Sequence, residues 1–144
     1  MNKLELQRRI LTVAAILVLL PPVLLLAIIP GAIMNPDPGA NYKAIIIVLS
    51  VLAILHLVIR FGYLRNIRAI KQTRSSDRGL NAGIGILLLM CCLFFLDGGA
   101  ESYDQNLYAS ILLFVAAFTD FVTALASIGT IFLKPGTGNQ SDSE

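Results

Sequence analysis

The sequence predicts an all-α integral membrane protein, a four-transmembrane-helix bundle with both termini cytoplasmic. Three observations predict it. Of 144 residues, 56% are hydrophobic and only 14% are charged, where soluble domains carry roughly a quarter charged residues. Four apolar runs reach or approach the ~20 residues that a helix needs to cross ~30 Å of hydrocarbon. Ten of the eleven basic residues fall on one side of those runs, and basic residues stay cytoplasmic during insertion. A soluble globule of this size would have too little interior to hide so much apolar side chain, even at a mean hydropathy of +0.78 spread evenly. Disorder is excluded by the same composition. A net charge of +2 gives no footprint for nucleic acid.

The first span covers about residues 10–34. Lys3, Arg8 and Arg9 precede it. It is too long for the apolar region of a signal peptide and no small-x-small cleavage site follows, so a retained span is expected. Pro21 and Pro22 near its middle remove two backbone donors and require a kink or break. Pro30-Gly31 near its outer end reads as helix termination. The stretch from Asn35 to Asn41, NPDPGAN, is a turn built on Pro36, Pro38 and Gly39.

The second span covers about residues 44–64 and holds the only histidine, His56. Arg60 to Arg78 then carries six positive charges and one negative. Arg65, Arg68 and Lys71 recur every three residues, with Ile67 and Ile70 between, so the helix should continue past the interface. With Arg74 they are candidates for binding anionic lipid head groups, each giving about 1 kcal/mol near a charged surface. Gln72 to Asp77 is a polar turn, and Ser76 or Asp77 can cap the next helix.

The third span covers about residues 79–96. Gly79 and Gly83 form a G-x-x-x-G, and with Gly85 they are candidate helix-packing positions. Cys91 and Cys92 are adjacent, point about 100° apart on a helix and lack any zinc-type spacing. They are expected to be core residues, with no disulfide and no metal. Asp97 to Asn106 reads as an acidic outer loop without calcium-loop spacing. The fourth span covers about residues 107–133. Residues 1–134 thus form one membrane domain, and 135–144 a disordered cytoplasmic tail. The formal glycosylation acceptor Asn139-Gln140-Ser141 in that tail should be inert.

Asp120 is the sharpest chemical feature. It sits at the midpoint of the fourth span, where a carboxylate costs roughly 2.5–3.5 kcal/mol on insertion scales. Thr119, Asp120, Thr123, Ser127 and Thr130 share one face, and Phe114, Phe118, Phe121 and Phe132 the other. The polar face should therefore point into the bundle or a subunit interface. His56 lies at a similar depth, and a His56–Asp120 pair would satisfy both groups where no water is available. Helix adjacency is not fixed by the sequence.

No catalytic motif and no cofactor signature occurs. A single histidine cannot supply both axial ligands of a haem. The leading expectation is a non-catalytic accessory or scaffolding subunit that packs against a larger membrane protein or copies of itself. The alternative is a small channel or transporter component passing protons or cations by Asp120 and His56. A third is an intramembrane enzyme or quinone-site component. The expected surroundings are the lipid bilayer of a plasma membrane, a bacterial inner membrane, with anionic lipids and without nucleic acid.

Overall fold

The computed structural model describes residues 3–34, 42–73 and 76–133, and every regular element among them is an α-helix. The Asn35–Asn41 turn, Arg74 and the tail from Lys134 onward lie outside the described residues. The helices are α1 (Lys3–Leu17), α2 (Leu20–Met34), α3 (Tyr42–Thr73), α4 (Arg78–Ser102) and α5 (Leu107–Phe132). Four stretches are long and apolar enough to cross a membrane: Lys3–Pro30, Lys43–Gln72, Arg78–Ser102 and Leu107–Phe132. The first is α1 and α2 in succession.

The break in that span falls just before the two prolines. Val18 N–H still donates to Ala14 at 3.0 Å, but Leu19 N–H closes a tighter turn onto Ile16 at 3.1 Å. Pro21 and Pro22 then occupy the first turn of α2, where a missing N–H costs nothing because those donors have no intrahelical acceptor. Pro30 does not end the helix, contrary to the sequence expectation. It lies inside α2, which runs on to Met34. A proline within a membrane-type helix removes one backbone bond and need not stop the helix.

Three helices are longer than the apolar runs inside them. α1 begins at Lys3, with Glu5 bonded to Arg9 at 3.0 Å one turn on. α3 continues through Arg65, Arg68 and Lys71 to Thr73. α4 continues through Asp97–Ser102, so most of the expected acidic loop is helical and only the turn before Asn106 remains. The cause is close packing at this end. Gly99 has no Cβ, and one placed there would lie 3.1 Å from the Phe114 ring of α5. The Ser110 hydroxyl also donates to the Gly99 carbonyl at 2.7 Å. Caps finish the design. Asp77 accepts from Leu80 N–H at 2.9 Å to start α4, and Asn106 accepts from Ala109 N–H at 3.0 Å to start α5.

The helices form a ring in which the first span touches α3 and α5, and α4 touches α3 and α5. α4 and α5 share the most extensive contact. Neighbours in sequence run antiparallel, so α3 and α5 are parallel and face each other across the diagonal. Two apolar clusters fill the two halves. One, at the basic end, holds Leu11, Val18, Ile59, Ile84 and Leu88. The other, at the acidic end, holds Leu25, Leu49, Phe95 and Ala116. The outward faces carry large apolar side chains, including Phe61, Met90, Leu93, Phe118 and Phe132. α3 is the outlier: only 11% of its apolar window is buried, against 39% in each of the other three spans.

Candidate functional site

Polar side chains meet on the bundle diagonal. His56 of α3 places Nε2 3.1 Å and 3.2 Å from the two carboxylate oxygens of Asp120 on α5. Both residues are fully buried. Seven residues further along each helix, Tyr63 and Ser127 are hydrogen-bonded. Seven residues are two turns of an α-helix, so the same pair of faces meets again about 10.5 Å lower. The Ser127 hydroxyl donates to the Thr123 carbonyl at 3.1 Å, so the Tyr63 hydroxyl is the donor to Ser127. One more turn toward the basic end, Asn66 of α3 and Thr130 of α5 leave a position between them on the diagonal. Asn81 of α4 fills it, donating to Thr130 at 2.8 Å and accepting from Asn66 at 2.6 Å. Asn66 is fixed in turn by the backbone of Asp77, accepting from its N–H at 2.9 Å. Gln7 of α1 closes the column, donating to the Thr130 carbonyl at 2.7 Å and to Ser76 at 3.0 Å.

The proton inventory of the His56–Asp120 pair follows from geometry. Nδ1 lies 2.7 Å from the Leu52 carbonyl, which can only accept, so Nδ1 carries a hydrogen. Nε2 and a bare carboxylate would present lone pairs to each other. The contact therefore contains one further proton, shared between Nε2 and the carboxyl group. The pair is electrically neutral wherever that proton sits, which removes the cost of burying a lone charge. The imidazole is also held from the side by the Phe95 ring, stacked at 6.0 Å between centroids and 25° between planes. The Cys91 thiol of α4 converges on the same point. One ligand-type atom from each of His56, Cys91 and Asp120 lies within 4.8 Å of the others, and all three residues are buried.

The structure thus unites His56, Asp120 and Ser127 with partners across the bundle. Thr119 and Thr123 are buried on the same face, but their hydroxyls donate to carbonyls of their own helix, Val115 at 2.8 Å and Thr119 at 2.7 Å. They shape the site without bonding to the pair. The opposite face turns out, with Phe118 and Phe132 the most exposed aromatics on α5. The glycines divide. A Cβ at Gly85 would lie 2.8 Å from Ile128, so Gly85 is where α4 and α5 approach closely. Gly79 and Gly83 are exposed, and a Cβ at Gly83 would meet nothing within 4 Å. Among the described residues, neither glycine of the G-x-x-x-G pattern marks a close approach to another helix. Arg65, Arg68 and Lys71 are exposed on α3, where Phe61, Leu64 and the Arg65 and Arg68 stems border a shallow groove.

Gln7, Tyr63 and Asn66 are the members that sequence reasoning missed. The signal was the step of seven from His56 to Tyr63, matched by the step from Asp120 to Ser127. By sequence alone Cys91 reads as a plain core residue, because its companions come from two other helices, which linear spacing does not show. Fold and site together place the chain among helical proteins with four potential membrane spans and an enclosed polar core. No protein-family model, curated protein or solved structure matches it.

Proposed function

We propose that the protein is a non-catalytic accessory or scaffolding subunit of a plasma membrane, a bacterial inner membrane, with both termini cytoplasmic. Its partner is a larger membrane protein or a second copy of itself. The acidic-end half of α3 carries this reading. Ile45, Ile46, Ile47 and Val48 are four consecutive exposed residues. Four residues sweep a full helical turn, so among the described residues every side of this stretch keeps exposed apolar surface. Membrane helices associate by packing rather than by the hydrophobic effect, and β-branched side chains, already stiff at χ1, lose little rotamer freedom when a partner covers them. Supporting this, His56, Tyr63, Asn66 and Asn81 are held by internal bonds, with Gln7 Oε1 and Arg60 Nε the buried side-chain atoms left unbonded among the described residues, which suits a rigid body that presents outer faces. Purification of the full chain in a mild detergent, followed by intact-complex mass determination, tests it. A stoichiometric hetero-complex or a defined homo-oligomer is expected, and a monomer would overturn the proposal.

The shared proton of His56 and Asp120 favours a second reading, a proton- or cation-conducting component. Asp120→Asn would then assemble normally yet abolish flux into vesicles holding a pH-sensitive dye. Wild-type vesicles without flux, with or without a co-purifying partner, would remove this reading. Basic residues of α3, with Arg74 beyond it, are proposed to hold anionic lipid in either case.

A further inference from the structure

We propose that His56, Cys91 and Asp120 form a binding site for one divalent transition-metal ion, with zinc the best fit. The proposal is independent of the accessory-subunit reading, since a structural ion and a partner surface occupy different parts of the molecule.

Four observations carry it. The first is the donor set. One imidazole, one thiol and one carboxyl group come from three different helices and place their ligand atoms within 4.8 Å of one another. Nitrogen, sulfur and oxygen donors together suit zinc, whereas calcium and magnesium take oxygen. The second is distance. Two ligands bound at ~2.05 Å in a tetrahedral site lie about 3.3 Å apart. Nε2 of His56 and the Asp120 oxygens are already 3.1 Å and 3.2 Å apart. A sulfur bound at ~2.3 Å sits about 3.6 Å from its neighbours, so closure on Cys91 needs a contraction of at most about 1.2 Å from the 4.8 Å limit.

The third is orientation. A metal-bound histidine almost always donates its other ring N–H to a carbonyl or carboxylate. His56 does so, Nδ1 to Leu52 at 2.7 Å, which leaves Nε2 as the ligand atom facing Cys91 and Asp120. The Phe95 ring, one helical turn from Cys91 on α4, holds the imidazole plane. The fourth is charge. A thiolate and a carboxylate together neutralise a divalent ion, and the imidazole adds nothing. A buried site then gains no net charge, while a monovalent or trivalent ion would leave one uncompensated in low dielectric.

Binding balances in protons. The Cys91 thiol gives up its hydrogen, and the proton shared by His56 and Asp120 leaves. Nδ1 keeps its own. Two protons therefore depart for each metal ion, and the exchange is electroneutral. Three protein ligands leave the fourth tetrahedral position for a further donor, such as water.

The test uses the full chain in a non-ionic detergent, with Co²⁺ as the spectroscopic probe and Zn²⁺ as competitor. The ion is added to folded protein and, separately, during refolding from dodecyl sulfate, so that burial of the site does not block loading. One Co²⁺ per chain is expected. It should show a thiolate-to-cobalt charge-transfer band and the intense visible absorption of four-coordinate cobalt. Stoichiometric Zn²⁺ should abolish both, and Mg²⁺ should not. Cys91→Ser should lose the charge-transfer band, His56→Asn and Asp120→Asn should weaken binding at least tenfold, and Cys92→Ser should retain wild-type behaviour. In wild type, an indicator should record two protons released per ion. A weak octahedral spectrum under both loading conditions would overturn the site. So would a thiolate band that survives Cys91→Ser or disappears with Cys92→Ser, or a proton count of zero or one.

Discussion

Replacing Asp120 by Leu should expose what the diagonal pair contributes. His56 is fully buried, and Nε2 has no partner among the described residues other than Asp120. The leucine would leave that ring nitrogen unpaired in an apolar surrounding. Stranding a buried polar group costs about 1–3 kcal/mol in water-soluble proteins. In membrane proteins the measured couplings are smaller, ~0.6 kcal/mol on average and ~1.7 at most, because the unfolded state also finds partners. The Leu52 bond and the Phe95 stack hold the imidazole in place, so little relief by rotation is available. A loss of about 1.5 kcal/mol is expected, roughly tenfold in the folding equilibrium. Asp120→Asn should cost under about 0.5 kcal/mol, because the amide N–H donates to Nε2 just as a carboxyl O–H does. The double variant His56→Leu with Asp120→Leu should recover most of the loss, since removing both partners strands neither. Reversible unfolding in mixed dodecyl sulfate and non-ionic micelles, followed by circular dichroism, measures all four proteins. An Asp120→Leu protein as stable as wild type would refute the reasoning. So would an Asn variant as damaged as the Leu variant.

Three further outcomes are expected. Gly83→Ala should raise stability by up to ~1 kcal/mol, the helix-propensity gain at an open position, whereas Gly85→Ala should come out about 1–2 kcal/mol less favourable because its methyl meets Ile128; the same unfolding assay ranks them, and equal values would show that the close approach carries no weight. A cysteine introduced at Asp104 should react with an impermeant thiol reagent in intact cells and one at Gln72 should not, with Cys91 and Cys92 too buried to contribute background; the reverse pattern would overturn the proposed sidedness. Changing Arg65, Arg68 and Lys71 to Gln should lower the anionic lipid retained in native mass spectra while circular dichroism stays unchanged, and equal retention would reduce the segment to a topology signal.

The helical class and the four long apolar stretches were legible because composition and run length depend on no neighbour. Helix ends were less legible. Asp97–Ser102 looks like a loop by polarity, yet it is helical because Gly99 and Ser110 dock that turn on α5. Pro30-Gly31 looks like a stop, yet one lost backbone bond does not end a helix held on both sides. At the site, the polar face of α5 could be drawn from 100° geometry alone. Which helix it faced could not, since ring order is a property of the assembled bundle. The two G-x-x-x-G glycines misled for the same reason: spacing states which residues share a face, and packing decides whether anything covers it.

The polar column also bears on how the chain is made. Its bonds from α1, α3 and α4 end on one helix: Gln7 and Asn81 on Thr130, Tyr63 on Ser127, His56 on Asp120. All four bonds end on α5, which follows the others in translation order. Before α5 is in place, Gln7, Asn81, Tyr63 and His56 lack these four bonds, and Gln7, Asn81 and His56 keep only their contacts to Ser76, Asn66 and the Leu52 carbonyl. Docking of α5 therefore supplies four cross-helix bonds together, and the polar column closes only when that helix arrives.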